Sequence, residues 1–281
     1  MTTATLDEDV NADAPLRSPR RSEWQTAAAS KRGSRHEATG AGCEDSYQVV
    51  QPAPGVLAIA VADGAGSAKL AEVGAKIVTE HGVAQACAGL EQAGDAPDDS
   101  ALQRLLEEAM AAALTAVQAE AATREVDYRD LASTMILVIA HREFIAAAQI
   151  GDGATVIADE AGNLHALTVP PPGEYINETI FLTSTDALQR MQVRVWRGRA
   201  SGVAAFSDGL QMLCLKWPEF EPHAAFFTPL FNFVRNTTDE AEATSGLESF
   251  LLSERVAQLT DDDVTLVLAT LGNDYDDDPQ S

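Results

Sequence analysis

The sequence predicts an α+β domain in which two antiparallel sheets lie face to face with helices packed outside. Three observations lead there. Apolar runs of four to eight residues, bounded by Gly, Asp and Pro, recur at short intervals. These runs follow one another too closely for the crossover that a doubly wound fold needs between parallel strands. The longer helical segments come in adjacent pairs rather than alternating with strands. With 46% hydrophobic residues in a chain of 281, there is ample material for such a core.

Residues 1–22 mix Thr, Ala, Asp, Pro and Arg without periodicity and are predicted to be a disordered N-terminal segment. Strands are predicted at 24–29, 45–51 and 55–62. A helix over 68–88 follows, rich in Ala, Glu and Lys, with Leu70, Val73, Ile77 and Val78 at apolar positions. After a loop at 94–99, a second helix over 100–122 carries Leu102, Leu105, Leu106, Ala109, Ala113 and Val117 on one stripe, with Ser100 as its N-cap. The segments 135–140, 144–149 and 154–158 read as a meander turning at 141–143 and 151–153. Further strands are predicted at 163–168, 177–183, 192–197 and 202–207, with a Pro-rich loop at 169–173. A helical block over 222–259 precedes a last strand at 264–270, and the acidic residues 272–281 read as a disordered tail. One domain therefore spans 23–271, with Ile59, Val61, Ile136, Val138, Ile145, Ala147, Val203, Ala205, Leu266 and Leu268 among its buried positions.

Acidic residues sit where these strands meet solvent. Asp63-Gly64 follows the run 56–62, Gly151-Asp152-Gly153 follows 144–150, Ser207-Asp208-Gly209 follows 203–206, and Asp261-Asp262-Asp263 precedes 264–268. Glu44-Asp45 precedes a further short run at 47–50. Singly, each is an ordinary turn signal; as a set at strand ends they converge if the strands share one sandwich. Two carboxylates about 4 Å apart repel by roughly 4 kcal/mol at an effective dielectric near 20, so such a cluster takes up protons or cations. Oxygen ligands without a Cys or His pair at ligand spacing select Mg²⁺, Mn²⁺ or Ca²⁺ over Zn²⁺. An EF-hand is excluded because Asp261-Asp262-Asp263 lacks the following Gly and the distal Glu.

In order and spacing, Glu44-Asp45-Ser46, Asp63-Gly64-Ala65-Gly66-Ser67, Ser133-Thr134, Gly151-Asp152-Gly153, Ser207-Asp208-Gly209 and Asp262-Asp263-Val264-Thr265 resemble the motifs of the metal-dependent Ser/Thr protein phosphatases of type 2C. The segments Gly33-Ser34-Arg35-His36 before Cys43 and 173–179 resemble a compact bacterial branch of that family. The resemblance covers about residues 24–271. It implies a four-layer α/β/β/α sandwich with two Mn²⁺ or Mg²⁺ ions at one edge, and hydrolysis of phosphoserine or phosphothreonine monoesters by an activated water.

Carried over by position, the resemblance has Asp63 bridging both ions and the Gly64 carbonyl completing one coordination sphere. Asp208 and Asp262 hold the first ion, Glu44 or Asp45 the second, and Asp152 helps bind a third, weaker one. Asp263 stands where the family usually has Asn, and is expected to orient Asp262 rather than to ligate. The family's phosphate-clamping Arg falls on Gly40 here, which passes that role to His36, Arg35 or Arg32. The proton-donating His of some relatives is Ala65, which leaves His36 or water to protonate the leaving oxygen.

The charge balance, 43 acidic against 19 basic residues, argues against general nucleic-acid binding. No apolar stretch approaches the ~20 residues that a spanning helix needs, and the three cysteines are too few for a disulfide framework. A cytoplasmic enzyme acting on phosphoprotein products of a Ser/Thr kinase is the expected setting. The rival readings are a regulatory module of the same fold that binds phosphoproteins with little turnover, and a Ca²⁺-stabilised β-domain.

Overall fold

Two five-stranded antiparallel sheets stack on each other, and each is covered on its outer face by a pair of helices. The computed structural model describes residues 23–94, 97–171 and 179–271; the predicted tails lie outside the described residues. The strands are β1 (Trp24–Lys31), β2 (Ser46–Ala53), β3 (Val56–Ala62), β4 (Met135–His141), β5 (Phe144–Ile150), β6 (Ala154–Asp159), β7 (Leu164–Thr168), β8 (Gln192–Arg197), β9 (Ala200–Phe206), β10 (Leu215–Lys216), β11 (Glu221–Pro222) and β12 (Val264–Leu271). The helices are α1 (Ser34–Thr39), α2 (Ala71–Ala93), α3 (Asp99–Arg124), α4 (Gln211–Cys214), α5 (Ala224–Asn236), α6 (Glu240–Leu251) and α7 (Glu254–Ala257). One sheet runs β1-β12-β9-β6-β7 and the other β2-β3-β4-β5-β8.

Side-chain alternation along the strands sorts the apolar residues into three layers. Ile59, Val61, Ile136, Val138, Ile145, Ala147, Val203, Ala205 and Val267 meet between the sheets. The alternate residues of β4, Met135, Leu137 and Ile139, pack against α2 and α3. Phe206, Leu266 and Leu268 pack against α5 and α6. Because both faces of each sheet are covered, β4 and β5 read as unbroken apolar runs rather than as an alternating pattern. Every predicted core position is buried.

Several expectations are corrected. Of the three strands expected as a meander, β4 and β5 pair as a hairpin, but β6 crosses to the other sheet, where it pairs with β9 and β7, so no meander forms. Of the predicted strand 177–183, residues 179–181 have no regular structure and 182–183 lie in a turn, and 177–178 lie outside the described residues. Helix α2 starts at Ala71 because the backbone before it is engaged elsewhere: Ala65 N donates to Ala132 O and Leu70 N to Asp130 O. Asp98 caps α3 instead of Ser100, accepting from Ala101 N at 2.7 Å. The predicted block 222–259 divides into α5, α6 and α7, and α1 was not foreseen.

Truncation of the layer between the sheets leaves a void that rigid, hydrogen-bonded strands cannot close. Ile59→Ala is expected to cost about 2–5 kcal/mol in urea denaturation, whereas Met212→Ala, at 66% exposure, should stay within about 0.5 kcal/mol.

Candidate metal centre

Strand register brings the acidic motifs to one rim. Lys31 pairs with Val264, Leu266 with Phe206, and Phe206 with Ala154, so the ends of β1 and β9 and the starts of β12 and β6 coincide. In the facing sheet Ser46 pairs with Ala62 and Met135 with Ile150. Residues one or two steps beyond these pairs, among them Asp45, Asp63, Asp152, Asp208 and Asp262, therefore leave the sheets at the same end.

Carboxylate oxygens of Asp63, Asp152 and Asp208 lie within 4.8 Å of one another. Local hydrogen bonds fix their carriers. Asp63 is held at both backbone groups: its N donates to Thr134 Oγ1 at 2.9 Å while Thr134 N donates to Asp63 O at 2.8 Å. Thr179 Oγ1 donates to Asp152 Oδ2 at 2.8 Å, and Gln211 Nε2 donates to the Asp152 carbonyl at 2.6 Å. Beside them Asp45 is buried, with Oδ2 accepting from Ser207 Oγ at 2.7 Å. Asp208 begins a helical turn directly after β9, and Gly209 permits the approach of the β12 entry: a Cβ there would meet Asp263 O at 2.1 Å. Asp262 lies close enough to raise the proton affinity of Asp63, Asp152 and Asp208, and its Oδ1 is 2.6 Å from Arg35 Nη2.

The electrostatics are those of carboxylates crowded in poor solvent. Burial, followed by repulsion from Asp45, Asp208, Asp262 and Asp152, pushes the Asp63 carboxyl well above the ordinary range. Burial and then Asp152, Asp262 and Asp45 raise Asp208 to about 7. Asp45 is likewise raised to about 7, chiefly by burial, against hydrogen bonds from Thr265 and Ser207. Burial also raises Asp152 and Glu44. Asp45 Oδ1, Asp152 Oδ1 and Glu44 Oε2 are buried without a hydrogen-bond partner among the described residues. Oxygen-only donors, close spacing and unused lone pairs fit hard divalent cations.

The remaining predicted residues divide. Glu44 lies with its Oε2 3.7 Å from His36 Nε2. Gly64 N donates to Glu44 O at 3.1 Å, joining two of the motifs through backbone. Arg35 places its half-exposed guanidinium on Asp262. Arg32 turns to its own loop, donating to Ala41 O at 3.0 Å. His36 is only 8% exposed, with Nδ1 3.0 Å from Asp263 Oδ1 and Nε2 3.7 Å from Glu44 Oε2. The Asp263 carboxylate accepts from the backbone N–H groups of Gly33 and Glu44, while its own N–H donates to Asp262 Oδ1 at 2.9 Å, so the residue ties those segments together and touches the Asp262 side chain. Cys43, with its thiol pushed up to about 12 mainly by burial, is a packing residue. Thr179 and Gln211 were missed by the sequence reading. Gln211 stands one helical turn from Asp208, a spacing that would have placed it at the rim.

The protein phosphatase 2C family model matches residues 32–252. The chain belongs to this family. It is 34% identical over 255 residues to Serine/threonine-protein phosphatase 3 of Escherichia coli (strain K12), a match covering 88% of this chain and 98% of that protein. Among solved structures, a bacterial serine phosphatase has a TM-score of 0.61 at 14% identity, covering 90% of this chain and 100% of that one. The catalytic domain of the phosphatase PstP in complex with 2 manganese ions has a TM-score of 0.57 at 20% identity, covering 89% and 99%. The architecture of this phosphatase 2C chain is thus that of its bacterial neighbours. Among the described residues, no helix is long and apolar enough to cross a membrane.

Carboxyls raised to about 7 bind more protons in the folded chain than in the unfolded one from the ordinary carboxylate range up to that value. Stability of the metal-free protein therefore falls as pH rises through this window, and cations that compete with those protons stabilise more at the upper end. Scanning fluorimetry should show a metal-free Tm lower at pH 8 than at pH 5 by roughly 5 °C, a larger Mn²⁺-induced rise at pH 8, and a flatter metal-free slope in Asp208→Asn.

Proposed function

We propose that this chain hydrolyses phosphoserine and phosphothreonine monoesters on proteins, using two Mn²⁺ or Mg²⁺ ions held at the acidic rim. The observation that carries the reading is the convergence of Asp63, Asp152 and Asp208 within 4.8 Å at the common end of two sheets. Membership of the phosphatase 2C family and 34% identity to a Ser/Thr protein phosphatase support it. Asp63 would serve both ions and the Gly64 carbonyl one of them, with Asp208 and Asp262 holding the first and Glu44 or Asp45 the second. Asp152 would assist a third, weaker ion. When bound, the cations supply Lewis acidity, lowering the pKa of water and offsetting charge on the phosphoryl oxygens.

The chain's own groups do the rest. Asp63, Asp152 and Asp208 are held by strand ends, so their spacing does not relax when charge changes. Arg35 is the cation at the mouth: its guanidinium reaches over Asp262 and is half exposed, whereas Arg32 is engaged away from the rim. Arg35 is thus assigned to binding and orienting the substrate phosphate, a task suited to a planar, multi-donor group. The costly gathering of buried carboxylates favours turnover over mere phosphoprotein binding. Phosphoprotein products of a Ser/Thr kinase in the cytoplasm are the assigned substrates.

Purified protein with Mn²⁺ should release phosphate from an aryl phosphate and from a phosphothreonine peptide, and chelator should stop both. Asp63→Asn and Asp208→Asn are expected to lower kcat/KM by roughly 10³-fold or more, since each removes charge that acts on the reacting phosphate. Stable phosphopeptide binding with no phosphate release in the presence of Mn²⁺ would refute the assignment. Arg35→Ala should raise KM for the peptide roughly tenfold, with a smaller change in kcat, if its role is mainly to bind the phosphate.

A further inference from the structure

We propose that His36 and Asp263 form a single positioning unit that holds Glu44 at both ends and so prepares it as a metal ligand. The inference rests on the reading of the rim as a divalent-metal site. Asp263 is 2% exposed, and its two oxygens are used on separate segments: Oδ1 accepts from Gly33 N at 2.7 Å and Oδ2 from Glu44 N at 2.6 Å. One carboxylate thereby ties the start of β12 to the turn after β1 and to the backbone of Glu44. His36 stands on that same turn, with Nδ1 3.0 Å from Asp263 Oδ1 and Nε2 3.7 Å from Glu44 Oε2.

The segment that carries the imidazole is held by backbone. Arg35 N donates to Asp261 O at 3.0 Å, and a Cβ on Gly33 would meet the Asp262 carbonyl carbon at 2.2 Å, so the turn bearing His36 is seated directly on residues 261–263. Glu44 is the residue that gains. Its side chain has three rotatable bonds and would lose up to ~2 kcal/mol of rotamer freedom on ligation. Asp263 fixes its root and His36 fences its tip, where Oε2 is buried and has no hydrogen-bond partner among the described residues. His36 therefore acts through Glu44, from behind the rim.

Isothermal titration of Mn²⁺ into the full chain tests this. His36→Leu is expected to weaken Mn²⁺ binding roughly 10- to 100-fold, the usual cost of losing an outer-shell partner, and Glu44→Gln, which alters the ligand itself, at least as much. The double variant should bind no more weakly than Glu44→Gln alone, and excess Mn²⁺ should restore turnover in His36→Leu. Asp263→Asn should share the defect. If the Leu variant does not fold, His36→Gln carries the comparison, because its amide reaches one carboxylate but not both; roughly tenfold weakening is expected. Wild-type affinity in the His36 variants, or losses that add in the double variant, would overturn the proposal. Absence of Mn²⁺ binding by the unmodified chain would instead overturn the metal-centre reading beneath it.

Discussion

Mutual repulsion among carboxylates that the backbone does not allow to separate is the constraint on which the rest of this structure depends. Asp63, Asp152 and Asp208 would move apart if they were carried by independent loops, since each pair at this spacing repels by several kcal/mol. They are carried instead by the ends of strands whose registers are locked by ladders of hydrogen bonds and by side chains buried on both faces. The sandwich interior, filled by Ile59, Val138, Ile145 and Val203, is thus the mechanical support of the rim.

The same crowding sets the chemistry. A carboxyl raised to about 7, as at Asp45 and Asp208, is held in a state that binding a proton or a cation relieves. Hydroxyls of Ser207 and Thr179 donate to the Asp45 and Asp152 carboxylates, and Thr134 Oγ1 accepts from Asp63 N, which fixes these residues without neutralising them. Asp263 illustrates the opposite design: a carboxylate as deeply buried, but satisfied by two backbone N–H groups, and so suited to holding structure together.

The layers and the rim were legible because each rests on a local pattern. Short apolar runs, an amphipathic stripe from Leu102 to Val117, and Asp-Gly pairs at strand ends are all written within a few residues of one another. What misled was pairing between distant segments. Nothing local distinguishes Gly151-Asp152-Gly153 as a crossover from the hairpin turn it resembles; that depends on β9 offering β6 a partner in the other sheet. The start of α2 shifted for the same kind of reason, since Ala132 and Asp130 engage the backbone that would otherwise begin the helix, whereas the cap of α3 is a local contact of Asp98 with Ala101 N.

The sequence by itself determined the fold class, the sandwich's core residues and which acidic side chains stand at strand ends, because periodicity and turn chemistry are properties of neighbouring residues. Only the tertiary structure decided which of those acids share a few ångströms, that Arg35 rather than Arg32 reaches the rim, and that His36 lies behind Glu44 against Asp263. Those facts follow from strand register and from the seating of residues 33–36 on 261–263, contacts between segments more than two hundred residues apart whose geometry no local pattern encodes.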